Sequence, residues 1–317
     1  MFSKTQIIAV KSELGAGTRG SSLGFDALRI ASLHQEPSFF ENRPIESVET
    51  ENRHLFQPTI FQTAKRLNGI VNMYDRISAK LNQQYSKSQL PIIISGDHSN
   101  AGGTIAGIKK SFPHKRLGVV WVDAHADLHS PFTSPSGNVH GMPLATAIAE
   151  DNVESQNNEP EAEAIKFWNK MKGATQRVLP SDLFFVGVRD TETPEDNLMA
   201  KYDMPNVTTA QLREMGATAV AEKALNHLGD CDLIYVSFDV DSLDPSISIG
   251  TGTPVPHGLT EEEAQSLLLR LVEDDRLCCF ETTEINPLLD DKGNAMAEAA
   301  FRVIKPVIEK IEKKVKA

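Results

Sequence analysis

The apolar stretch Leu117-Gly-Val-Val-Trp-Val122 runs directly into the polar stretch Asp123-Ala-His-Ala-Asp127. A nearly continuous apolar run of this length is typical of a strand in a parallel sheet, where both faces are covered. Ligand sites in open α/β sheets lie just beyond the carboxyl ends of the strands. These residues therefore predict a buried strand that brings two carboxylates and a histidine to a functional site.

Similar apolar runs recur along the chain and alternate with longer segments of helical periodicity. We interpret as strands the runs at residues 6–10, 90–94, 117–122, 183–188, 233–238 and 277–281. Apolar spacing predicts helices within residues 63–81, 142–149, 209–228, 261–275 and 294–315. This order predicts an α/β fold, three-layer α/β/α with a mostly parallel central sheet. We expect residues 1–317 to form a single domain, with the acidic residues 150–177 as an excursion between two strands.

The composition argues against several classes of protein. The 317 residues contain 32 Lys and Arg against 43 Asp and Glu, a net charge of −11, whereas nucleic-acid binding requires a basic surface. No apolar run approaches the ~20 residues that span a bilayer. The three cysteines, Cys231, Cys278 and Cys279, match neither a disulfide framework nor a C-x-x-C motif. We therefore expect a cytoplasmic protein that binds neither nucleic acid nor membranes.

Two further strand ends carry polar residues of the same kind. The run at 233–238 is followed by Asp239-Val-Asp241, and the run at 90–94 leads into Gly96-Asp97-His98. In extended chain, side chains at positions i, i+2 and i+4 point to one side, so each motif is expected to converge. A lone Asp at a strand end is ordinarily a helix cap or a loop residue, but three such ends together favour a site.

The charges of these residues predict a metal centre. The four carboxylates and two imidazoles that follow the strands belong to Asp123, Asp127, Asp239, Asp241, His98 and His125. Four converging carboxylates repel one another unless cations neutralise them, and two divalent ions would balance their charge. A donor set rich in oxygen and free of thiolate suits Mn²⁺ better than a structural zinc ion.

The motifs resemble those of the ureohydrolase (arginase/agmatinase) family over nearly the whole chain, from about Leu14 onward. The resemblance is carried by Gly96-Asp-His-Ser99, Asp123-Ala-His-Ala-Asp127, Ser136-Gly-Asn-Val-His-Gly141, Ser237-Phe-Asp-Val-Asp-Ser-Leu-Asp-Pro-Ser246, Thr251-Gly-Thr-Pro254 and Glu284-Ile-Asn-Pro287. Residues 237–254 are the most specific part, and the glycine-rich residues 15–24 match more loosely. The resemblance implies the arginase-like fold and, as is usual in the family, a homo-oligomer.

The resemblance also implies two Mn²⁺ ions per subunit. By analogy one ion is held by His98, Asp123, Asp127 and Asp239, and the other by Asp123, His125, Asp239 and Asp241. Asp123 and Asp239 would then bridge the two ions. A hydroxide between the ions would attack the guanidinium carbon of the substrate, because both ions lower the pKa of the bound water.

Three residues acquire catalytic roles from the resemblance: Asp127, His140 and Glu284. His140 matches the histidine that shuttles protons to the leaving amino group. Glu284 matches the carboxylate that pairs with the substrate guanidinium, whose planar donors fit a carboxylate. Thr253 matches a threonine that contacts the catalytic centre.

Other implied contacts concern the end of the substrate far from the guanidinium. Ser136 and Asn138 resemble the arginase segment that hydrogen-bonds an α-carboxylate, and Glu192 falls in a segment whose acidic residues receive the α-amine. Two residues depart from the arginase pattern. His129 stands where arginases usually carry Asn, and Glu192 stands where they usually carry Asp.

The implied substrate is a small guanidino compound, first of all L-arginine, hydrolysed to L-ornithine and urea. The alternative is a related ureohydrolase that acts on agmatine, guanidinobutyrate, another guanidino acid or formiminoglutamate, and His129 and Glu192 motivate it. A non-catalytic metal-binding relative would need a broken ligand, and all six ligand positions carry suitable residues.

Overall fold

Eight strands form one sheet in the computed structural model, which describes residues 2–316. They are β1 (Lys4–Val10), β2 (Ile45–Ser47), β3 (Gln89–Ser95), β4 (Leu117–Val122), β5 (Leu183–Val186), β6 (Asn206–Val207), β7 (Leu233–Asp239) and β8 (Leu277–Thr283). Their order in the sheet is β2-β1-β3-β8-β7-β4-β5-β6, and all seven neighbouring pairs are parallel. The predicted α/β class is confirmed.

Ten α-helices within residues 2–316 cover the two faces of this sheet. They are α1 (Gly24–Gln35), α2 (Leu67–Ser86), α3 (Asn100–Ser111), α4 (Pro143–Ala147), α5 (Ala162–Lys172), α6 (Thr193–Lys201), α7 (Thr209–Met215), α8 (Ala217–His227), α9 (Glu261–Leu271) and α10 (Ala295–Lys316). Helices α1 and α7 to α10 contribute to one hydrophobic core, and helices α2 to α6 contribute to the other. The three predicted layers are therefore present.

Strand β4 shows why its sequence is apolar at nearly every position. Val120 and Val122 pack in one core, whereas Val119 and Trp121 pack in the other. Because successive side chains of a strand point to opposite faces, a strand between two helical layers needs apolar residues on both. The same demand explains the continuous apolar run in β3, which is buried along its whole length.

The strand order places the carboxyl ends of four strands side by side. Strands β3, β8, β7 and β4 are consecutive in the middle of the sheet, although they are far apart in sequence. Parallel strands end at the same edge, so the residues that follow these four strands meet there. This edge is where the sequence places the polar motifs.

The predicted strands are all present, with bounds that differ from the prediction by two residues or fewer. The short edge strands β2 and β6 and the helices α1, α3 and α6 were not predicted. A continuous helix over residues 209–228 was wrong, because Gly216 adopts φ 86° and separates α7 from α8. Residues 150–177 form the expected excursion between β4 and β5, and it contains α5.

Two structural findings concern the predictions about membranes and cysteines. No helix within residues 2–316 combines the length and the apolar character needed to cross a membrane. All three cysteines are free and buried, and burial raises the pKa of the Cys231 thiol to about 12.

We predict that Phe301→Ala destabilises the protein, whereas Phe56→Ala leaves its stability unchanged. The ring of Phe301 is fully buried and meets Phe39 edge-to-face at 5.0 Å between centroids. Truncating such a ring costs about 3–5 kcal/mol of unfolding free energy. Phe56 is 91% exposed, so its loss should stay within about 0.5 kcal/mol. Urea denaturation of both variants tests this, and equal destabilisation would contradict the assigned core.

Candidate active site

The predicted residues gather around a cavity of about 270 Å³ at the carboxyl edge of the sheet. The six predicted metal ligands line it: His98, Asp123, His125, Asp127, Asp239 and Asp241. Six further predicted site residues also line it: His129, Ser136, Asn138, His140, Glu192 and Thr253. Glu284, which follows β8, is not part of this lining and lies buried behind it.

His98 lies at the centre of the first cluster of carboxylates. Its Nδ1 atom is 2.9 Å from Asp123 Oδ2, 3.1 Å from Asp239 Oδ2 and 3.2 Å from Asp127 Oδ2. Despite these short distances, Nδ1 and Asp123 Oδ2 are both buried without a hydrogen bond of acceptable geometry. One ring nitrogen cannot satisfy three carboxylates at once, so these atoms converge on a point that suits a cation.

Two neighbours fix the ring of His98 in this orientation. Its Nε2 atom lies 2.8 Å from Ser237 Oγ, on the strand β7. Its ring stacks on Trp121 of β4 with centroids 4.0 Å apart and planes 5° from parallel. When Nε2–H donates to Ser237, the lone pair of Nδ1 is directed at the carboxylates, which is the state that a metal ligand requires.

A second cluster adjoins the first and shares Asp123 with it. His125 Nδ1 is 2.9 Å from Asp241 Oδ2 and 3.5 Å from Asp123 Oδ1. In each of the groups His98–Asp123–Asp127 and Asp123–His125–Asp241, the candidate ligand atoms lie within 4.8 Å of one another. Asp123 therefore stands between two places that could each hold an ion, as expected of a bridging carboxylate.

The side chains of each motif converge as predicted, but they do so through turns. The predicted cause, an extended chain with alternating side chains, was wrong. Residues 123–125 form bends, and Asp127 has a left-handed backbone with φ 52°. Val240–Ser242 forms a 3-10 turn directly after β7. In both turns a carboxylate accepts a backbone N–H two residues on, from His125 to Asp123 and from Asp241 to Asp239.

Crowding and burial shift the pKa values of these carboxylates in opposite directions. Burial and the charge of Asp123 raise the pKa of Asp127. The same two causes raise the pKa of Asp241 to about 6. Burial and the charges of Asp241 and Asp123 raise the pKa of Asp239. Burial acts the same way on Asp123, but the nearby imidazoles of His125 and His98 outweigh it and lower its pKa. Divalent cations would remove the repulsion that raises three of these values.

The donor set therefore fits a binuclear metal centre. It offers four carboxylates and two imidazoles, and the unsatisfied atoms of His98 and Asp123 are among them. Carboxylate and imidazole ligands without thiolate suit hard or borderline divalent ions. The residues present thus match the group that the sequence predicts.

His140 and Glu284 form a pair beside the metal ligands. His140 Nδ1 is 3.5 Å from Glu284 Oε1, which also accepts the backbone N–H of His98 at 2.9 Å. Burial opposes the charged imidazole of His140, but the hydrogen bond to Glu284 raises its pKa overall. Glu284 Oε2 is buried without a partner, and the residue itself has a left-handed backbone with φ 67°. A non-glycine residue held in that conformation is uncommon and is concentrated at functional sites.

The other predicted contacts lie around the cavity as separate groups. Ser136 Oγ accepts the backbone N–H of Asn138 at 3.1 Å, and Asn138 Oδ1 accepts a hydrogen bond from Lys65 at 3.2 Å. The exposed Thr253 donates to Asp241 Oδ2 at 3.3 Å. Ser136 and Asn138 thus present polar groups to the cavity, whereas Thr253 adjoins the second metal cluster.

The two residues that depart from the arginase pattern contact each other. His129 Nε2 is 2.7 Å from Glu192 Oε2 and 3.5 Å from Glu195 Oε2. The hydrogen bond to His129 lowers the pKa of Glu192, whereas burial raises that of Glu195 to about 7. Sequence reasoning missed Glu195, although its place as third residue of a helix that starts after Glu192 is a recognisable capping signal.

Known proteins resemble this chain in sequence and in fold. The model of the Arginase family matches residues 3–308. An arginase of Bacillus subtilis (strain 168) is 30% identical over 311 residues, covering 96% of this chain and 97% of that protein. The crystal structure of Entamoeba histolytica arginase in complex with L-ornithine is 27% identical with a TM-score of 0.81, covering 97% of this chain and 99% of that one. The formimidoylglutamase of Bacillus subtilis subsp. subtilis str. 168, 18% identical with a TM-score of 0.74, covers 98% of this chain and 88% of that one and shares the fold.

We predict that Asp123→Asn abolishes binding of both metals, whereas Asp241→Asn abolishes one. Asp123 belongs to both ligand groups, and Asp241 belongs to one of them. After loading and desalting we expect about two ions per chain in the unsubstituted protein. The metal content should fall to none in the Asp123 variant and to about one in the Asp241 variant. Asp230→Asn is the control, because the exposed Asp230 lies outside the cavity lining and outside both groups. Equal metal content in the Asp123 and Asp241 variants would contradict a shared carboxylate.

Metal affinity should fall as the pH decreases through about 6. In the metal-free protein the pKa of Asp241 is raised from 3.8 to about 6, so below that pH this ligand carries a proton that the metal must displace. Titrations with Mn²⁺ at about pH 5 and about pH 8 should give weaker binding and greater proton release at the lower pH. Proton release is measured by calorimetry in buffers of different ionisation enthalpy. An affinity that is equal at both pH values would argue against carboxylate ligands.

Proposed function

The chain belongs to the arginase family, and we propose that it hydrolyses L-arginine to L-ornithine and urea at a binuclear manganese centre. The observation that carries this proposal is the cavity itself. It has a cluster of carboxylates and imidazoles at one end and both acidic and neutral polar side chains around the rest of its wall. This combination suits a substrate with a guanidinium group at one end and an amino-acid head group at the other.

The proposed metal ligands are the six residues of the two clusters: His98, Asp123, His125, Asp127, Asp239 and Asp241. Bound Mn²⁺ ions would act as Lewis acids and lower the pKa of a water to the neutral range. Membership of the family and an oxygen-rich, thiolate-free donor set support manganese over zinc. We also assign Asp127 a catalytic role, because it would be a metal ligand and lines the same cavity as His140.

His140 is placed to hold and transfer a proton. Its side chain is part of the cavity wall, and its Nδ1 atom faces Glu284 at 3.5 Å. A histidine with a raised pKa retains a proton near neutral pH, which it can pass to the leaving amino group of the substrate. The contact with Glu284 stabilises the protonated imidazole and fixes its orientation.

Glu284 is proposed as the carboxylate that receives the guanidinium. It is buried, and its Oε2 atom has no hydrogen-bond partner. An unsatisfied buried carboxylate oxygen is costly, and a guanidinium N–H would satisfy it. Its position behind the cavity lining implies that a bound substrate reaches past His98 and His140 to contact it.

The head group of the substrate would lie between two contrasting walls. Ser136 and Asn138 offer hydroxyl and amide groups to a carboxylate, as the family resemblance implies. Glu192 and Glu195 offer negative charge to an ammonium group, and the half-exposed position of Glu192 makes it the accessible one of the two. The solved structure of an arginase relative with L-ornithine supports an amino-acid ligand of this kind.

One observation favours a second candidate substrate class. Glu192 already accepts a hydrogen bond from His129 at 2.7 Å, which partly neutralises the carboxylate that would receive the α-amine. Guanidinobutyrate and formiminoglutamate have no free α-amine and would not need a fully charged Glu192, whereas agmatine keeps the amine and lacks the carboxylate. The homo-oligomeric state and the cytoplasmic location remain predictions from the sequence.

Urea release after manganese loading tests the proposed substrate. The panel comprises L-arginine, agmatine, guanidinobutyrate and guanidinopropionate, with ammonia release from formiminoglutamate measured in parallel. We expect L-arginine to have the highest kcat/KM, because it alone among the guanidino compounds presents both head-group charges to the two walls. Turnover of another compound with none of L-arginine would reject the arginase assignment and point to the His129–Glu192 pair.

We expect His140→Asn to lower kcat by about 10²–10⁴-fold while the metal content stays unchanged. Asparagine keeps a polar side chain of similar reach but cannot transfer a proton. His257→Asn is the matched control, since His257 lies outside the cavity lining and asparagine tolerates its left-handed backbone. Steady-state kinetics and metal analysis on both variants check the prediction, and loss of manganese from the His140 variant would refute a shuttle role.

A further inference from the structure

A second cavity, of about 360 Å³, lies among α2, α3 and α5 and shares no residue with the active site. Its wall carries four basic residues: Lys109, Lys110, Lys170 and Arg177. Asp75 is the only acidic residue of that wall within residues 2–316. A concentration of positive charge is unexpected in a chain whose net charge is −11.

Two of the four cations are already satisfied by the protein. Lys170 forms a salt bridge with Asp75 at 2.8 Å. Lys109 Nζ donates to the backbone carbonyls of Pro113 and Lys115 beyond the end of α3. These contacts pair the acidic residue of the cavity and occupy the ammonium of Lys109 with neutral carbonyls. Among the described residues of the wall, Lys110 and Arg177 are left as the two cations that have neither a carboxylate partner nor a largely satisfied set of N–H donors.

Arg177 is the more informative of these two residues. Its guanidinium makes one side-chain hydrogen bond, from Nη1 to the carbonyl of Thr146 at 3.3 Å, and no salt bridge within the described chain. Burial lowers the pKa of this guanidinium. A guanidinium carries five N–H donors, and one that is withdrawn from water is normally paired with an anion.

Lys110 supplies the second unpaired charge from the neighbouring helix. It is exposed in the last turn of α3, and within residues 2–316 it has no carboxylate partner. Lys110 and Arg177 line the same cavity. Two cations with free N–H donors match the several oxygens and the double charge of one dianion, whereas a single carboxylate would leave one of the two cations unbalanced.

We propose that this cavity binds a phosphate dianion, either inorganic phosphate or the phosphoryl group of a small monoester, between Arg177 and Lys110. Arginine presents a planar fork that fits phosphate oxygens, and lysine acts as a point charge beside it. The cavity is larger than a phosphate ion, which leaves room for the organic part of a monoester. The site is independent of the proposed hydrolytic function.

Equilibrium dialysis with radiolabelled inorganic phosphate tests the site. The metal-loaded protein is freed of unbound metal, and chloride keeps the ionic strength constant. We expect saturable binding of one phosphate per chain, weakened about ten-fold or more by Arg177→Gln and by Lys110→Gln. Lys223→Gln removes an exposed lysine of α8 that lies outside the cavity, so phosphate binding should be unchanged.

The variants separate this site from other phosphate-binding places. Binding that survives both substitutions would place phosphate elsewhere, such as at the active site, and overturn the proposal, as would the absence of saturable binding. Lys110 is exposed, so its variant remains informative if Arg177→Gln fails to fold. Competition by phenyl phosphate distinguishes the two sources: tighter binding than inorganic phosphate indicates a monoester site, and weaker binding indicates phosphate itself.

Discussion

Four carboxylates and two imidazoles occupy one small volume at the carboxyl edge of the sheet, and their mutual repulsion is the constraint on which the site depends. Burial and neighbouring charges raise the pKa of Asp127, Asp239 and Asp241 together. These residues would not stabilise the fold by themselves, because buried charges that lack partners raise the free energy of the folded state. Divalent cations at the two ligand groups would resolve the repulsion.

The surrounding structure holds the ligands in place against this repulsion. Ser237 and Trp121 fix the His98 ring by a hydrogen bond and by stacking, and both belong to strands of the central sheet. Arg189 ties the loop after β5 to the loops after β7 by donating to the carbonyls of Asp241, Val255 and Pro256. Asp127 and Glu284 hold left-handed backbones, which only a rigid setting maintains. Positioning is therefore distributed over strands that are distant in sequence.

The sequence predicted those parts of the molecule that local pattern determines. Continuous apolar runs identified the buried strands, because both faces of the sheet are covered. Helix α3 escaped prediction because its glycines give it weak helical propensity, and only its close packing explains them: a Cβ atom at Gly102 would lie 1.9 Å from Tyr74 Oη. The pairing of His129 with Glu192 likewise joins residues 63 positions apart, which no local pattern contains.

The proposed centre would hold two metal ions that share Asp123, and electron paramagnetic resonance of the manganese-loaded protein tests this sharing most directly. Two Mn²⁺ ions held by a common carboxylate would be close enough for their spins to couple. At full loading we expect the spectrum of an exchange-coupled pair, and we expect Asp123→Asn to abolish it. A spectrum of isolated Mn²⁺ ions at every loading level would contradict a shared carboxylate and the mechanism built on it.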